Sequence, residues 1–213
     1  MTKANKVHIA VVMQSFLGAY KTAASWRERK IHRAIDSYFN QLPGNYTSEL
    51  IVVCDGCDLT AKIIADNYAG YPIQVITIDK QPIWSGMPRT IGIKAAKAGS
   101  WVTYLDIDDY LGEEHLKTIA DGVAGTAFDW VWFNNHVLDS YTRPTEQNNS
   151  LERARCGTCN IAHRSSIDKL WQVKADYLHD WNAIQNLMRS YPNYGKIATP
   201  AYIVCHLPNM IDL

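Results

Sequence analysis

Apolar, β-branched segments recur at residues 7–16, 49–55, 73–79 and 101–106, and one segment of helical character separates each from the next. That alternation constrains the fold more than any other feature. Parallel strands need a crossover, and a helix of this length supplies it, so the pattern predicts a mostly parallel α/β sheet with helices on both faces. "SWRERKIHRAIDSYFNQL" (25–42) predicts the first helix. Ser25 and Glu28 have capping-box spacing, and Ile31, Ile35, Tyr38 and Leu42 form its apolar stripe. Helices are also predicted over 58–70, with Asp58 as N-cap and Gly70 past the end, over 89–99 and over 113–125, and a further strand over 129–137. Residues 139–155 are polar and turn-rich, a mobile surface loop long enough to be functional or disordered. Beyond it the pattern predicts a strand at 156–163, a short helix at 165–170, a helix at 180–191 and a final strand at 197–206.

The chain has 213 residues, a length that suits one domain. Lysine plus arginine balances aspartate plus glutamate, 21 against 21, which argues against a strongly basic nucleic-acid surface. A local basic patch remains at Arg27, Arg29, Lys30 and Arg33. The early apolar run, Val7 to Met13, is too short to span a bilayer and lacks a signal-peptide layout, so a soluble, cytoplasmic protein is expected.

"WVTYLDIDDYL" (101–111) begins as a buried strand and ends in Asp106, Asp108 and Asp109. Ligands of open parallel sheets bind beyond the carboxyl ends of the strands. Neighbouring carboxylates there repel one another, and a divalent cation relieves the repulsion. Carboxylates are hard ligands suited to Mg²⁺ or Mn²⁺, which in turn bind phosphate oxygens. If the strand continues, Asp106 and Asp108 point the same way. The competing reading is structural: Asp109 caps a helix beginning near Leu111, and the other two sit in a solvated turn. Asp55 ends the second strand before a glycine, where one acid can accept hydrogen bonds from a ribose or base, or serve the turn alone. Asp180, by spacing, is a helix N-cap.

These residues together resemble glycosyltransferase family 2, the GT-A fold. Where the family has "DDGSTDGT" after the second strand, this chain has "CDGCDLTA"; "GMPRTIGIKAAKAG" (86–99) stands for "G…ARN.G…A.G". "LDIDD" matches the family's DxD motif, "RAIDSYFNQ" resembles its first helix, and "HDW" (179–181) occupies the place of "ED" plus an aromatic. The resemblance covers nearly the whole chain, as one domain with a nucleotide half at about 1–110 and an acceptor half at about 111–213. It implies a nucleoside diphosphate sugar as donor, a UDP-sugar favoured, with Mn²⁺ or Mg²⁺. It further implies that Asp55 contacts the base, Asp106 lies near ribose and metal, and Asp108 ligates the metal with Asp109 beside it. Arg89 matches the family arginine at the nucleotide, Asp180 the catalytic base, and His206 a metal- or diphosphate-binding histidine. Transfer to an acceptor hydroxyl with inversion follows. The acceptor is a glycan, a lipid-linked sugar or a protein; a hydroxylated DNA base is less favoured for a neutral chain.

The chain also departs from the family. "MQSFLG" replaces the usual end of the first strand, Cys54 replaces the leading acid, Thr90 the asparagine after the arginine, and His179 the acid before Asp180. His179 is therefore a second candidate base, or a residue that tunes Asp180. "CDGC" and "CGTC" have the pair spacing of a zinc site but lie far apart; ordinary thiols are the simpler reading. His8 is expected in the core, and His136 near the site. Trp84, Trp130, Trp132 and Trp181 are candidates for sugar stacking or for core. No phosphate loop, dinucleotide fingerprint or nucleophile elbow is present. The alternatives to a transferase are a nucleotidyltransferase on a similar sheet and an inert domain that binds glycan or a partner.

Overall fold

The computed structural model describes residues 6–16, 26–82, 85–139, 143–172, 178–198 and 201–205. In chain order the elements are β1 (Val7–Ser15), α1 (Arg27–Phe39), β2 (Tyr46–Asp55), α2 (Asp58–Asn67), β3 (Ile73–Ile78), α3 (Met87–Ala95) and β4 (Trp101–Asp106). There follow β5 (Tyr110–Leu111), α4 (His115–Val123), β6 (Trp130–Trp132), β7 (Asn135–Leu138), β8 (Thr145–Gln147), a 3-10 turn at Thr158–Asn160, β9 (Ile161–Arg164), α5 (His179–Ser190), β10 (Tyr194–Lys196) and β11 (Tyr202–Cys205).

The main sheet has seven strands in the order β10-β6-β9-β4-β1-β2-β3. Strand β9 runs antiparallel to both neighbours; the other pairings are parallel. β1 lies inside this sheet with both faces covered, which is why its run Ile9–Met13 is apolar at every position rather than at alternate ones. Ile9, Val11 and Met13 pack with α1, α2 and α4 on one face. Ala10 and Val12 pack with α3 and α5 on the other. Of these, the larger side chains Ile9, Val11, Val12 and Met13 each contribute about 1.5–3 kcal/mol relative to exposure. Gly92 lets α3 approach β1 closely: a Cβ there would lie 2.3 Å from Val12 Cγ1.

A second sheet, β5-β11-β7-β8, covers one end of the molecule. The sequence pattern does not reveal it, because strands of two to four residues are too short to display a period. The segment expected as one strand at 129–137 is in fact two, β6 in the main sheet and β7 in the second.

Other expectations shift at the level of single turns. Cys57, not Asp58, precedes α2, which ends at Asn67, before Gly70. Trp26, with φ 60°, precedes α1, and Ser25 lies outside the described residues. Residues 165–170 form turns rather than a helix, although Ile167 and Leu170 are buried as a helix there would have placed them. The strands expected at 156–163 and 197–206 shrink to β9 and β11. The polar segment after Leu138 carries β8.

Candidate active site

Strands β1, β2 and β4 are parallel, and Gln14 pairs with Asp106 while Ser15 pairs with Cys54. Their carboxyl ends therefore meet along one edge and bring Asp55 and Asp106 to it. Asp55 is 2% exposed, and both its oxygens are engaged. Lys80 Nζ donates to Oδ2 at 2.8 Å and the Gln81 N–H to Oδ1 at 2.6 Å. Gly56 makes this possible: with φ +60°, it lets Lys80 pass so close that a Cβ at 56 would lie 2.8 Å from Lys80 Cα. Lys80 Nζ also sits 4.3 Å from the centre of the Phe16 ring.

The three acids of the opening run lie in a turn, not along a strand. The Asp109 N–H donates to the Asp106 carbonyl at 3.0 Å, so alternation of side chains stops at Asp106. Asp109 is not a helix cap either. Its Oδ2 accepts from Tyr202 Oη at 2.8 Å and its Oδ1 from the Cys205 N–H at 2.9 Å. Tyr202 Oη in turn accepts the Asp106 N–H at 3.1 Å. Burial and the nearby Asp108 and Asp106 push the Asp109 carboxyl well above the usual range, against the pull of its two donors. Asp109 thus braces the turn. The Asp108 carbonyl accepts from Arg33, while its carboxylate has no hydrogen-bond partner among the described residues.

Arg89, in the first turn of α3, is 7% exposed. Its Nη2 donates to Asp106 Oδ1 at 3.0 Å, its Nη1 lies 3.4 Å from His179 Nε2, and its guanidinium stands 5.0 Å from the Trp171 ring centre. Trp171 is fixed by donating to Tyr104 Oη at 2.8 Å. Burial raises the Asp106 carboxyl above its usual value, and Arg89 opposes that rise.

Asp180 does not cap α5. It is the second residue of the helix, and its Oδ1 accepts from Thr158 Oγ1 at 2.5 Å and faces His179 Nε2 at 2.8 Å. Burial works against its charge, but the His179 hydrogen bond, the Arg89 guanidinium and Thr158 outweigh it and hold the carboxyl at about 2. Asp180 lines a cavity of about 530 Å³ together with Trp181, Asn149 and Asn160. The amide of Asn160 supports the wall by donating to the Phe133 carbonyl at 3.1 Å and accepting the Gly157 N–H at 2.9 Å.

Asp106, Arg89, His179 and Asp180 therefore form one continuous chain of contacts. Asp55 stands at the same sheet edge, and His206 and Trp84 lie outside the described residues. Thr158, Tyr202, Lys80 and Trp171 were not singled out from the sequence; each acts through a partner far away in the chain. His136 sits in β7 between Asn135 and Val137, both of which line the cavity, so alternation turns it away. Trp130 is core, stacked on Tyr194, and Trp132 lies under Lys196. His8 lies at the start of the inner strand β1, half-buried and bonded to Thr47 Oγ1 at 2.7 Å rather than buried in the core. The five cysteines are free thiols, and no three histidine, cysteine or acidic side chains group as metal ligands among the described residues.

The sequence model for glycosyl transferase family 2 matches residues 23–186. The chain belongs to glycosyl transferase family 2. No curated protein matches the sequence. Among solved structures, this family 2 chain is similar to S. aureus TarS 1–349 in complex with UDP-GlcNAc, at 16% identity and TM-score 0.71, with 94% of this chain and 59% of that one covered. It is also similar to S. aureus TarS 1–349 in complex with UDP, at 19% identity and TM-score 0.64, covering 95% and 61%. Those matches show the GT-A type of α/β fold. The family 2 chain spans about three fifths of the length of these structures. No helix among its described residues is long and apolar enough to cross a membrane.

Proposed function

We propose that this chain is a glycosyltransferase that moves a sugar from a nucleoside diphosphate donor, a UDP-sugar, to an acceptor hydroxyl with inversion at the anomeric carbon. The observation that carries the reading is the Asp106–Arg89–His179–Asp180 chain of contacts, which joins the acid turn at the strand ends to the cavity holding Asp180. Family membership and the nucleotide complexes of TarS support the donor class, and the chain acts as one domain with its donor residues in the first half.

In this reading Asp55 receives the base after exchanging a partner, Lys80 or the Gln81 N–H. Arg89 turns one side of its guanidinium to the donor. Asp108, whose carboxylate has no hydrogen-bond partner among the described residues, and Asp106, whose Oδ2 has none among them, are the two carboxylates suited to Mg²⁺ or Mn²⁺, with Asp109 retained as a brace. Two carboxylates fit an ion that takes its remaining ligands from phosphate and water. His206 is a further candidate ligand. When bound, the ion neutralises charge on the departing diphosphate.

Asp180 removes the proton of the acceptor hydroxyl as its oxygen bonds to the anomeric carbon. The bond from that carbon to the diphosphate oxygen breaks, and its electron pair leaves with the nucleotide. His179 is the weaker candidate for the base, because its Nε2 faces Asp180 and Arg89 and it is 7% exposed. It orients Asp180 instead.

Calorimetry of UDP binding with and without Mn²⁺, on wild type and Asp108→Ala, tests the proposal. Binding that needs the metal and is lost in the variant supports it. Failure of UDP and of other nucleoside diphosphates to bind would refute it. Binding without sugar turnover on any acceptor would favour the inert alternative. Family membership weighs against a nucleotidyltransferase.

A further inference from the structure

The cavity that holds Asp180 has a second wall, formed by the segment after β8. Arg153 and Arg155 line it from there, alongside Gln147 and Asn149. Between the two arginines Ala154 adopts φ 63°, a left-handed conformation unfavourable for any residue but glycine. The arginines are exposed, and neither guanidinium has a hydrogen bond or a carboxylate partner among the described residues. Glu152, the nearest acid in sequence, is engaged by Ser150 Oγ at 3.0 Å. Lys196 does not line the cavity but lies beside the lining residue Asn149, with Nζ 3.3 Å from the Asn149 carbonyl and 3.2 Å from Asn148 Oδ1.

A neutral sugar would be served by the amides and by Trp181. Two arginines answer a different need. A guanidinium presents a planar fork of donors that matches phosphate or carboxylate oxygens. The ionised Asp180 repels an anion brought near it, so an anionic substrate needs compensating cations in the same cavity. We propose that the acceptor carries an oxyanion close to the hydroxyl that receives the sugar, and that Arg153 and Arg155 bind that oxyanion. This rests on the transferase reading above and adds the chemical class of the acceptor to it.

Calorimetry on the full chain tests the idea, with glycerol 3-phosphate and glycerate as charged probes and glycerol as the neutral one. A charged probe should bind at least about tenfold more tightly than glycerol, an interval that corresponds to one charge-assisted contact. The Arg153→Gln/Arg155→Gln double variant should lose that preference while keeping wild-type affinity for UDP. The two charged probes tell phosphate from carboxylate. The proposal is overturned if neither charged probe binds, if glycerol binds as well as they do, or if the double variant keeps the preference. Loss of UDP binding by the wild type is a different result, and it counts against the transferase reading alone.

Discussion

Thr158 Oγ1 donates to Asp180 Oδ1 across 2.5 Å, from a 3-10 turn to a helix, between residues 22 apart in the chain. The Thr158 and His179 contacts both fall on Oδ1, and Oδ2 has no hydrogen-bond partner among the described residues. Thr158→Val should lower the rate of sugar transfer about tenfold, the effect of one hydrogen bond to a charged group. It should also move the acid limb of the pH–rate profile upward, since a donor that depresses the Asp180 carboxyl has been removed. Thr158→Ser should restore both, and a variant profile that does not move would count against the contact.

Asp180→Asn should reduce transfer about 10²–10⁴-fold, the range for loss of a general base, with UDP affinity unchanged. His179→Ala should cost less, about tenfold, because it orients the base through one contact to a charged group. Equal losses in the two variants would make His179 the base. Comparison of rates and UDP affinity in the two proteins separates these outcomes.

The depressed Asp180 carboxyl also has a stability consequence. Its folded value of about 2 lies below the ordinary aspartate value of about 3.9, so it stabilises the fold above pH 4. That contribution disappears as the pH falls through about 2. Asp180→Asn should therefore lose less stability than wild type on acidification between those values. Thermal melting across that interval reads the difference directly.

Within the acid turn, neighbouring residues should respond in opposite ways. Asp109→Ala removes the acceptor of the bonds from the Tyr202 hydroxyl and the Cys205 N–H, and should destabilise the protein by about 1–3 kcal/mol. Asp108→Ala removes a carboxylate that has no hydrogen-bond partner among the described residues, and should change stability by no more than about 0.5 kcal/mol while abolishing metal-dependent UDP binding. Denaturant unfolding of both variants checks the contrast.

Gly92→Ala should destabilise the fold by about 1–3 kcal/mol, because the added methyl meets Val12 inside a packed interface. The same substitution should loosen α3 and with it Arg89, so UDP affinity should fall alongside the melting temperature.

The main sheet was legible because its inner strands are buried on both faces and read as unbroken apolar runs. Asp55 and Asp106 followed from those strands, since each ends one. The position of Asp108 did not follow, because strand alternation was carried two residues past the point where the turn begins. The role of Asp109 was hidden for another reason. Its partners lie on β11, and nothing local in "DIDDYL" points to Tyr202. Asp180 carried a local signature of capping, and only the fold reveals that its carboxylate turns to Thr158. Arg153 and Arg155 stood in plain view within a polar segment, but a cavity is not a property of a segment.

The brace on the acid turn comes from far along the chain. Asp109 is held by Tyr202 and Cys205, which follow it by 93 and 96 residues. While a ribosome is still short of β11, the turn lacks both of its clamps, however well the first four parallel strands have paired. The acid turn is thus completed only after the segment bearing Asp180 has emerged.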